Sequence, residues 1–328
     1  MQLYINTYGA YVHIKDEMFE IRIKKDKEIE KHHYSAKKVK SIIISLGAAL
    51  SSDAVKLAID NNIDIVFVQK NGFPYGRLWH SKLGSTTKIR KAQLTASLDE
   101  VGVKWIKEWI AQKIQNQTEF IKNLKKHRQT KSDYLNNKIT KLQNLEISII
   151  QLEAKNISEI AETVRGIEGT AGRLYFETLN YVLPDEYKFK GRSSRPAQDY
   201  FNVFLNYAYG ILYSRIEKSL MIAGLDPYVG FLHRDDYNQL SFVFDFIEPY
   251  RIYADTTVFR LFSAKKVNKS HADKIAVGYL LNKSGKELLI TSFNKYFEDE
   301  TIRYKGRNIT RANTIQMDAH SFANSLIK

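Results

Sequence analysis

No cysteine occurs among the 328 residues. That excludes a disulfide framework, a thiolate metal centre and a thiol nucleophile. Long apolar runs are missing too: the longest, SIIISLGAAL at 41–50, is too short to cross a bilayer. The opening residues, MQLYINTYG, show no basic segment followed by an apolar stretch, so no signal peptide is expected. There is no internal repeat and no low-complexity tract. These absences lead to the expectation of a soluble, cytoplasmic protein with no membrane partner.

Positive charge is what the chain has in excess. Fifty Lys and Arg against 36 Asp and Glu leave a formal charge of +14. Such a surplus favours polyanions, nucleic acid first, over acidic proteins or neutral metabolites as partners. The 20 tyrosines are compatible with stacking on nucleobases, although tyrosine also fills cores.

Hydrophobic period divides the chain in two. LYINTYGAYVHI and MFEIRIK alternate, KSIIISLG and IDIVFVQ are short β-branched runs, and DAVKLAIDNN offers one helix between them. NGFPYGRLWH joins an Asn-Gly turn to an edge strand near 73–79. From about residue 86 the period lengthens. Leu94, Leu98, Val101, Trp105 and Ile106 lead into a long amphipathic run through Trp109, Ile110, Ile114, Phe120, Ile121 and Leu124. Further helices are expected over about 133–154, 156–181, 196–223, 286–299 and 310–326. The expected architecture is therefore α+β: a small N-terminal β-rich domain over 1–82 and a larger, mostly helical domain over 86–328. The boundary falls near HSKLGSTT at 80–87.

Two segments carry chemistry. VRGIEGTAGRLYFETLN, residues 164–180, places Gly166, Gly169 and Gly172 three apart in a helical pattern. Each glycine costs a helix up to about 1 kcal/mol relative to alanine. At 100° per residue Val164, Ile167, Ala171, Leu174 and Thr178 form a core stripe, with Arg165, Glu168, Gly172 and Tyr175 beside it. Glycines around Glu168 would let a backbone or a phosphate approach closely. A glycine-mediated helix crossing with a solvated Glu168 is the alternative. GLDPYVGFLHRDDYNQLSFVFDFIEP, residues 224–249, contains His233, Asp245 and Glu248. A helix through 240–248 puts the two carboxylates on one face, whereas the period-two alternation of LSFVFDF would separate them. The helical neighbourhood favours helix. His32 and His33 are adjacent, which is poor geometry for a shared ion on a strand.

Carboxylates with one imidazole suit a hard or borderline divalent ion, Mg²⁺ or Mn²⁺. In a basic protein such an ion suggests phosphodiester chemistry, since metal neutralises charge on phosphoryl oxygens. Spacing alone does not pair Glu168 with His233.

RGIEGTAGRLYF, RPAQDYFNVFLNYAYGILY and GLDPYVGFLHRDDYNQLSFVFDFIEPYR resemble, in order and approximate spacing, the signature blocks of the CRISPR-associated endonuclease and integrase family Cas1. The resemblance covers nearly the whole chain. It implies a metal-dependent enzyme that inserts DNA fragments into a CRISPR array by 3′-hydroxyl attack on a phosphodiester. It also implies a homodimer, double-stranded DNA as substrate and a Cas2 partner. By motif, Glu168 and His233 match the family's metal-binding residues. Glu248 takes a third position where many members have aspartate, and Asp245 matches an additional acidic residue one turn earlier. Arg165 aligns with a phosphate-holding position, and Asp199, Asn202 and Tyr213 with a helix that lines the site and could contact DNA. Two alternatives outside the resemblance are a non-catalytic nucleic-acid scaffold and a glycoside hydrolase using Asp245 and Glu248 as acid and base.

Overall fold

The computed structural model describes residues 1–25, 28–78, 86–194, 196–233 and 239–327. The chain forms two compact units, Met1–Leu83 and Gly84–Lys328. Residues 80–85 of the expected boundary lie outside the described residues, as do 234–238 of the second motif.

The first unit is β-rich. Its strands are β1 (Gln2–Ile5), β2 (Tyr11–Lys15), β3 (Met18–Lys25), β4 (Glu28–Ser35), β5 (Ser41–Ser45) and β6 (Ala49–Leu50). Helix α1 (Ser52–Asp60), β7 (Asp64–Val68) and β8 (Pro74–Leu78) complete it. One sheet runs β1-β5-β7-β8, with β1, β5 and β7 parallel and β8 antiparallel at the edge. The other runs β4-β3-β2-β6. Leu3, Val12, Phe19, Ile42, Ala54 and Ile65 draw both sheets and α1 into one core. Strand β4, EIEKHHYS, carries no apolar period and was not anticipated from the pattern. Full-length pairing with β3 specifies it instead. The pairing places His13, Glu20 and His33 side by side on β2, β3 and β4. Both imidazoles and Arg22 then reach the buried Glu20 carboxylate, and His32 turns to Glu30.

The second unit is mainly helical: α2 (Thr86–Ala96), α3 (Glu100–Lys125), α4 (Ser132–Gln151), α5 (Ala161–Val182), α6 (Tyr200–Ile222), α7 (Ser241–Phe246) and α8 (Arg251–Ser263). After these come β9 (Ala272–Lys274), β10 (Tyr279–Leu281), α9 (Lys283–Asn294), β11 (Thr301–Tyr304), β12 (Arg307–Thr310) and α10 (Arg311–Ser325). The two small antiparallel pairs, β9–β10 and β11–β12, interrupt what the period suggested would be helix and loop alone. No described helix is long and apolar enough to cross a membrane.

Helix α3 is the spine. Asp99 caps it by accepting a hydrogen bond from the Val101 amide at 2.8 Å. Its buried stripe packs against α4, α5 and α8. Trp109 stands at the centre of an aromatic cluster, with ring centroids 6.1 Å from Phe231, 5.7 Å from Phe242, 5.4 Å from Phe246 and 5.4 Å from Phe322. Pairs of this kind contribute about 0.5–1.5 kcal/mol each beyond area burial. They clamp the 230–233 loop and α7 onto α3, one helical turn from Lys113.

Candidate active site

The stripe on α5 differs from the expected one. Val164, Ala171, Tyr175, Thr178 and Val182 are buried, whereas Ile167 and Leu174 are only half-buried. Glu168 therefore falls in line with the core residues, between Val164 and Ala171, and Tyr175 is part of the core itself. On α3 the stripe Ile106, Ile110, Lys113, Gln117 and Ile121 is likewise buried and likewise contains one charge. Where the two stripes face each other, the Lys113 ammonium donates to Glu168 Oε1. A lysine at a core position of an amphipathic helix is the sequence signal for this residue.

Lys113 Nζ also lies 2.5 Å from Glu248 Oε2. Glu248 sits in the turn after α7, tied to α3 where Asn116 Nδ2 donates to Pro249 O at 2.7 Å. Its other oxygen, Oε1, accepts from Arg251 Nε at 2.8 Å and lies 2.8 Å from Nη2. Burial raises the Glu248 pKa, but Arg251 and Lys113 together outweigh that and hold the carboxyl at about 2. Lys113 shows the converse: burial lowers its pKa, the two glutamates raise it, and the net direction is up.

Arg251 extends the cluster. Its Nη1 donates to Tyr213 Oη at 3.2 Å, and its guanidinium lies over the rings of Tyr209 and Tyr213. Tyr213 meets Phe244 edge-on at 5.2 Å, and Phe244 in turn lies 5.7 Å from the His233 ring. A continuous path of contacts thus joins Glu168, Lys113, Glu248, Arg251, Tyr213, Phe244 and His233, drawn from α3, α5, α6, α7, α8 and the 230–233 loop.

Residues 241–246 form a helix, as expected, but Asp245 and Glu248 serve different partners. Asp245 Oδ2 accepts from the amides of Phe231 at 2.6 Å and Leu232 at 3.0 Å. Its Oδ1 accepts from the His233 amide at 3.1 Å and contacts His233 Nδ1 at 2.6 Å. A carboxylate only accepts, so Nδ1 carries the proton of this contact and Nε2 is the ring nitrogen left for a ligand. The loop can close this tightly because Gly230 has no side chain: a Cβ there would sit 2.5 Å from Ser241 Cβ. Arg165 grips the same loop from α5, donating to Leu232 O at 2.6 Å while pairing with Glu162. Arg165 thus braces the His233 loop through one end of its guanidinium and pairs with an exposed carboxylate through the other.

Asn202 stands in the first turn of α6. It is fully buried, accepts from Arg192 and the Ser193 amide, and donates to Gly191 O and Asp199. Its polar atoms are thus taken up by the 191–193 loop and by Asp199. Asp199 caps α6. Tyr213 remains half-exposed at the site.

The glycines of α5 do not mediate a helix crossing. A Cβ added at Gly166, Gly169 or Gly172 would meet nothing within 4 Å. Gly169 and Gly172 instead line, with Glu168, Arg173, Phe176 and Arg192, an open cavity of about 520 Å³.

The donor set suits a hard or borderline divalent ion: two glutamates and an imidazole nitrogen held in one tautomer by a carboxylate, an arrangement typical of metal-binding histidine. Glu248 Oε2 is buried with no hydrogen-bond donor aligned on it. Among the described residues, however, no three His, Asp or Glu side chains converge into a ready-made cation site. Glu168 and Glu248 come together through Lys113, and His233 is engaged with Asp245.

Residues 3–295 match the family model of CRISPR associated protein Cas1, a span that takes in every residue of this cluster. CRISPR-associated endonuclease Cas1 1 of Archaeoglobus fulgidus is 33% identical over 97% of this chain and 94% of its own length. Two solved structures share the fold at 21% identity. A casposase bound to integration product has TM-score 0.82 over 99% of this chain and 90% of that one. A Cas1 protein from Thermotoga maritima has TM-score 0.78 over 99% and 96%. With a family model spanning both units and a relative aligned almost end to end, the chain belongs to the CRISPR-associated Cas1 family.

Proposed function

We propose that this chain is a divalent-metal-dependent DNA endonuclease and integrase that joins DNA fragments to a CRISPR array. The observation that carries the proposal is the meeting of Glu168 and Glu248, from distant parts of the chain, around a single cationic point beside an open cavity. The relative from Archaeoglobus fulgidus is named an endonuclease, and the casposase is bound to an integration product. Both descriptions agree with this chemistry.

Glu168, Glu248 and His233 through Nε2 would hold Mg²⁺ or Mn²⁺, which when bound would neutralise charge at the reacting phosphate. The chain's own residues supply orientation. Asp245 fixes the His233 tautomer and three loop amides, Arg165 fixes the loop from the other side, and Arg251 sets the Glu248 rotamer. A DNA 3′-hydroxyl attacks the phosphorus and gives up its proton to solvent, the bond from phosphorus to the bridging oxygen breaks, and the leaving strand departs with that oxygen, which takes up a proton from solvent. The +14 charge supplies sequence-independent attraction for the DNA backbone. The working assembly is proposed to be a cytoplasmic homodimer formed through the β-rich unit, acting with a Cas2 subunit on double-stranded DNA.

The test is strand transfer of a labelled duplex into a repeat-bearing plasmid, with Mg²⁺, with Mn²⁺ and with chelator. Glu168→Gln keeps the volume but removes the charge, so joining should fall at least about a hundredfold, in line with the loss of a key charge-stabilising group. Duplex binding, which rests on Lys and Arg, should be retained. Unchanged, metal-dependent joining by Glu168→Gln defeats the proposal. Wild-type protein that binds DNA but never cuts or joins it would favour the scaffold reading.

A further inference from the structure

We propose that Lys113 is a resident counter-ion that competes with the divalent ion for Glu168 and Glu248, so that loading the site requires its ammonium to leave. This inference rests on the metal-dependent reading above.

The geometry argues for competition. Lys113 is nearly buried, with 8% of its side chain exposed, and its ammonium touches one oxygen of each glutamate. Those are the two carboxylates, one from α5 and one from the turn after α7, that would help to hold an ion. The local balance also closes without an ion: Glu168 and Glu248 supply two negative charges, and Lys113 and Arg251 two positive ones. Adding a doubly charged cation while the ammonium stays would leave like charges a few ångströms apart in a buried site, which is strongly unfavourable. A single ammonium charge is shared between two carboxylates, so a doubly charged cation can replace it.

Lysine also has the right mechanics. Its four-carbon stem is flexible and its charge is compact, whereas the planar guanidinium of Arg251 is locked against Glu248, Tyr209 and Tyr213. Of the two cations, Lys113 is the one free to swing. Once displaced, the ammonium needs an anion, and a phosphate of the bound DNA is the one that arrives with the substrate. Ion and DNA then bind with positive coupling, because each relieves a cost of the other.

The experiment measures Mn²⁺ binding by calorimetry to the full chain, with and without a duplex whose 3′ ends are blocked. Metal-free thermal unfolding is followed in parallel. Lys113→Met and Lys113→Gln keep the volume of the stem but remove the charge. Both should bind Mn²⁺ at least tenfold more tightly than wild type in the absence of DNA, and the blocked duplex should tighten Mn²⁺ binding to wild type more than to either variant. Both should also unfold at lower temperature without metal and recover more of that loss on adding Mn²⁺. Lys113→Arg, which keeps the charge, should stay weak like wild type. Folded Lys113→Met or Lys113→Gln protein with wild-type or weaker Mn²⁺ affinity overturns the inference. If one variant does not fold, the other decides. If neither wild type nor the variants bind Mn²⁺ at all, with or without DNA, the metal-dependent reading fails and this inference fails with it. Binding with no effect of Lys113 removes this inference alone.

Discussion

A carboxylate buried as deeply as that of Glu248 stays ionised only because Arg251 and Lys113 contact it. Taking away one partner of such a pair leaves a charge in a poor solvent. Arg251→Ala should therefore destabilise the helical unit by about 3–5 kcal/mol, measured by denaturant unfolding. Glu248→Asp shortens the side chain by one methylene, so it should retain partial joining activity where Glu248→Ala retains almost none. Assays of both variants at matched folded concentration make the comparison. A second ionised cluster lies in the β-rich unit. The Arg22 hydrogen bond, against the opposing effect of burial and with help from His13 and His33, holds Glu20 at about 2 instead of its ordinary 4.5. A depressed carboxyl contributes stability above its unfolded pKa, and that contribution is lost as pH falls through the folded value. Glu20→Gln should thus be less stable than wild type at pH 7, with the gap closing between about 4.5 and about 2. Equal stability at neutral pH would show that the ion pairs contribute nothing.

At the scale of the element, much of the helical unit was legible because amphipathic period specifies a helix locally. The expected spans lie within a few residues of α4, α6 and α10, and helix was correctly chosen over strand for 241–246. Strand β4 was not legible, since its eight polar-rich residues owe their conformation to β3 and not to their own pattern. In the site, the motif residues could be named, but their partners could not. Lys113 shows only as a lysine at a core position of an amphipathic helix and Arg251 only as the end of a motif block, and tertiary packing alone shows that α3 turns its lysine toward α5 and that Arg251 pairs with Glu248. Local form does make one test of the loop. Gly230→Ala should push the 230–233 loop off α7, because its Cβ meets Ser241 Cβ at 2.5 Å. His233 would lose its alignment with Asp245. A fall in joining activity without loss of global fold by circular dichroism is expected. Gly169→Leu tests the opposite face: its side chain enters open space, so the helix should gain stability while the cavity beside Glu168 is obstructed.

Over the whole molecule, charge and division into two units govern behaviour. DNA affinity should fall steeply between low and physiological salt as Lys and Arg release counterions, and a nearly flat salt dependence would contradict the polyanion reading. Strand β8 stands at the end of the order β1-β5-β7-β8, a sheet-edge position that suits pairing with a second copy. Light scattering at micromolar concentration should therefore return a dimer. One further consequence concerns the order in which the chain is made. Lys113 contacts both Glu168, 55 residues later, and Glu248. Synthesis runs from the N-terminus, so a growing polypeptide that stops short of Glu248 and Arg251 holds the first half of the cluster without its completing carboxylate. On the proposed reading, the cluster that would cut or join DNA is thus incomplete until translation has entered the last quarter of the message.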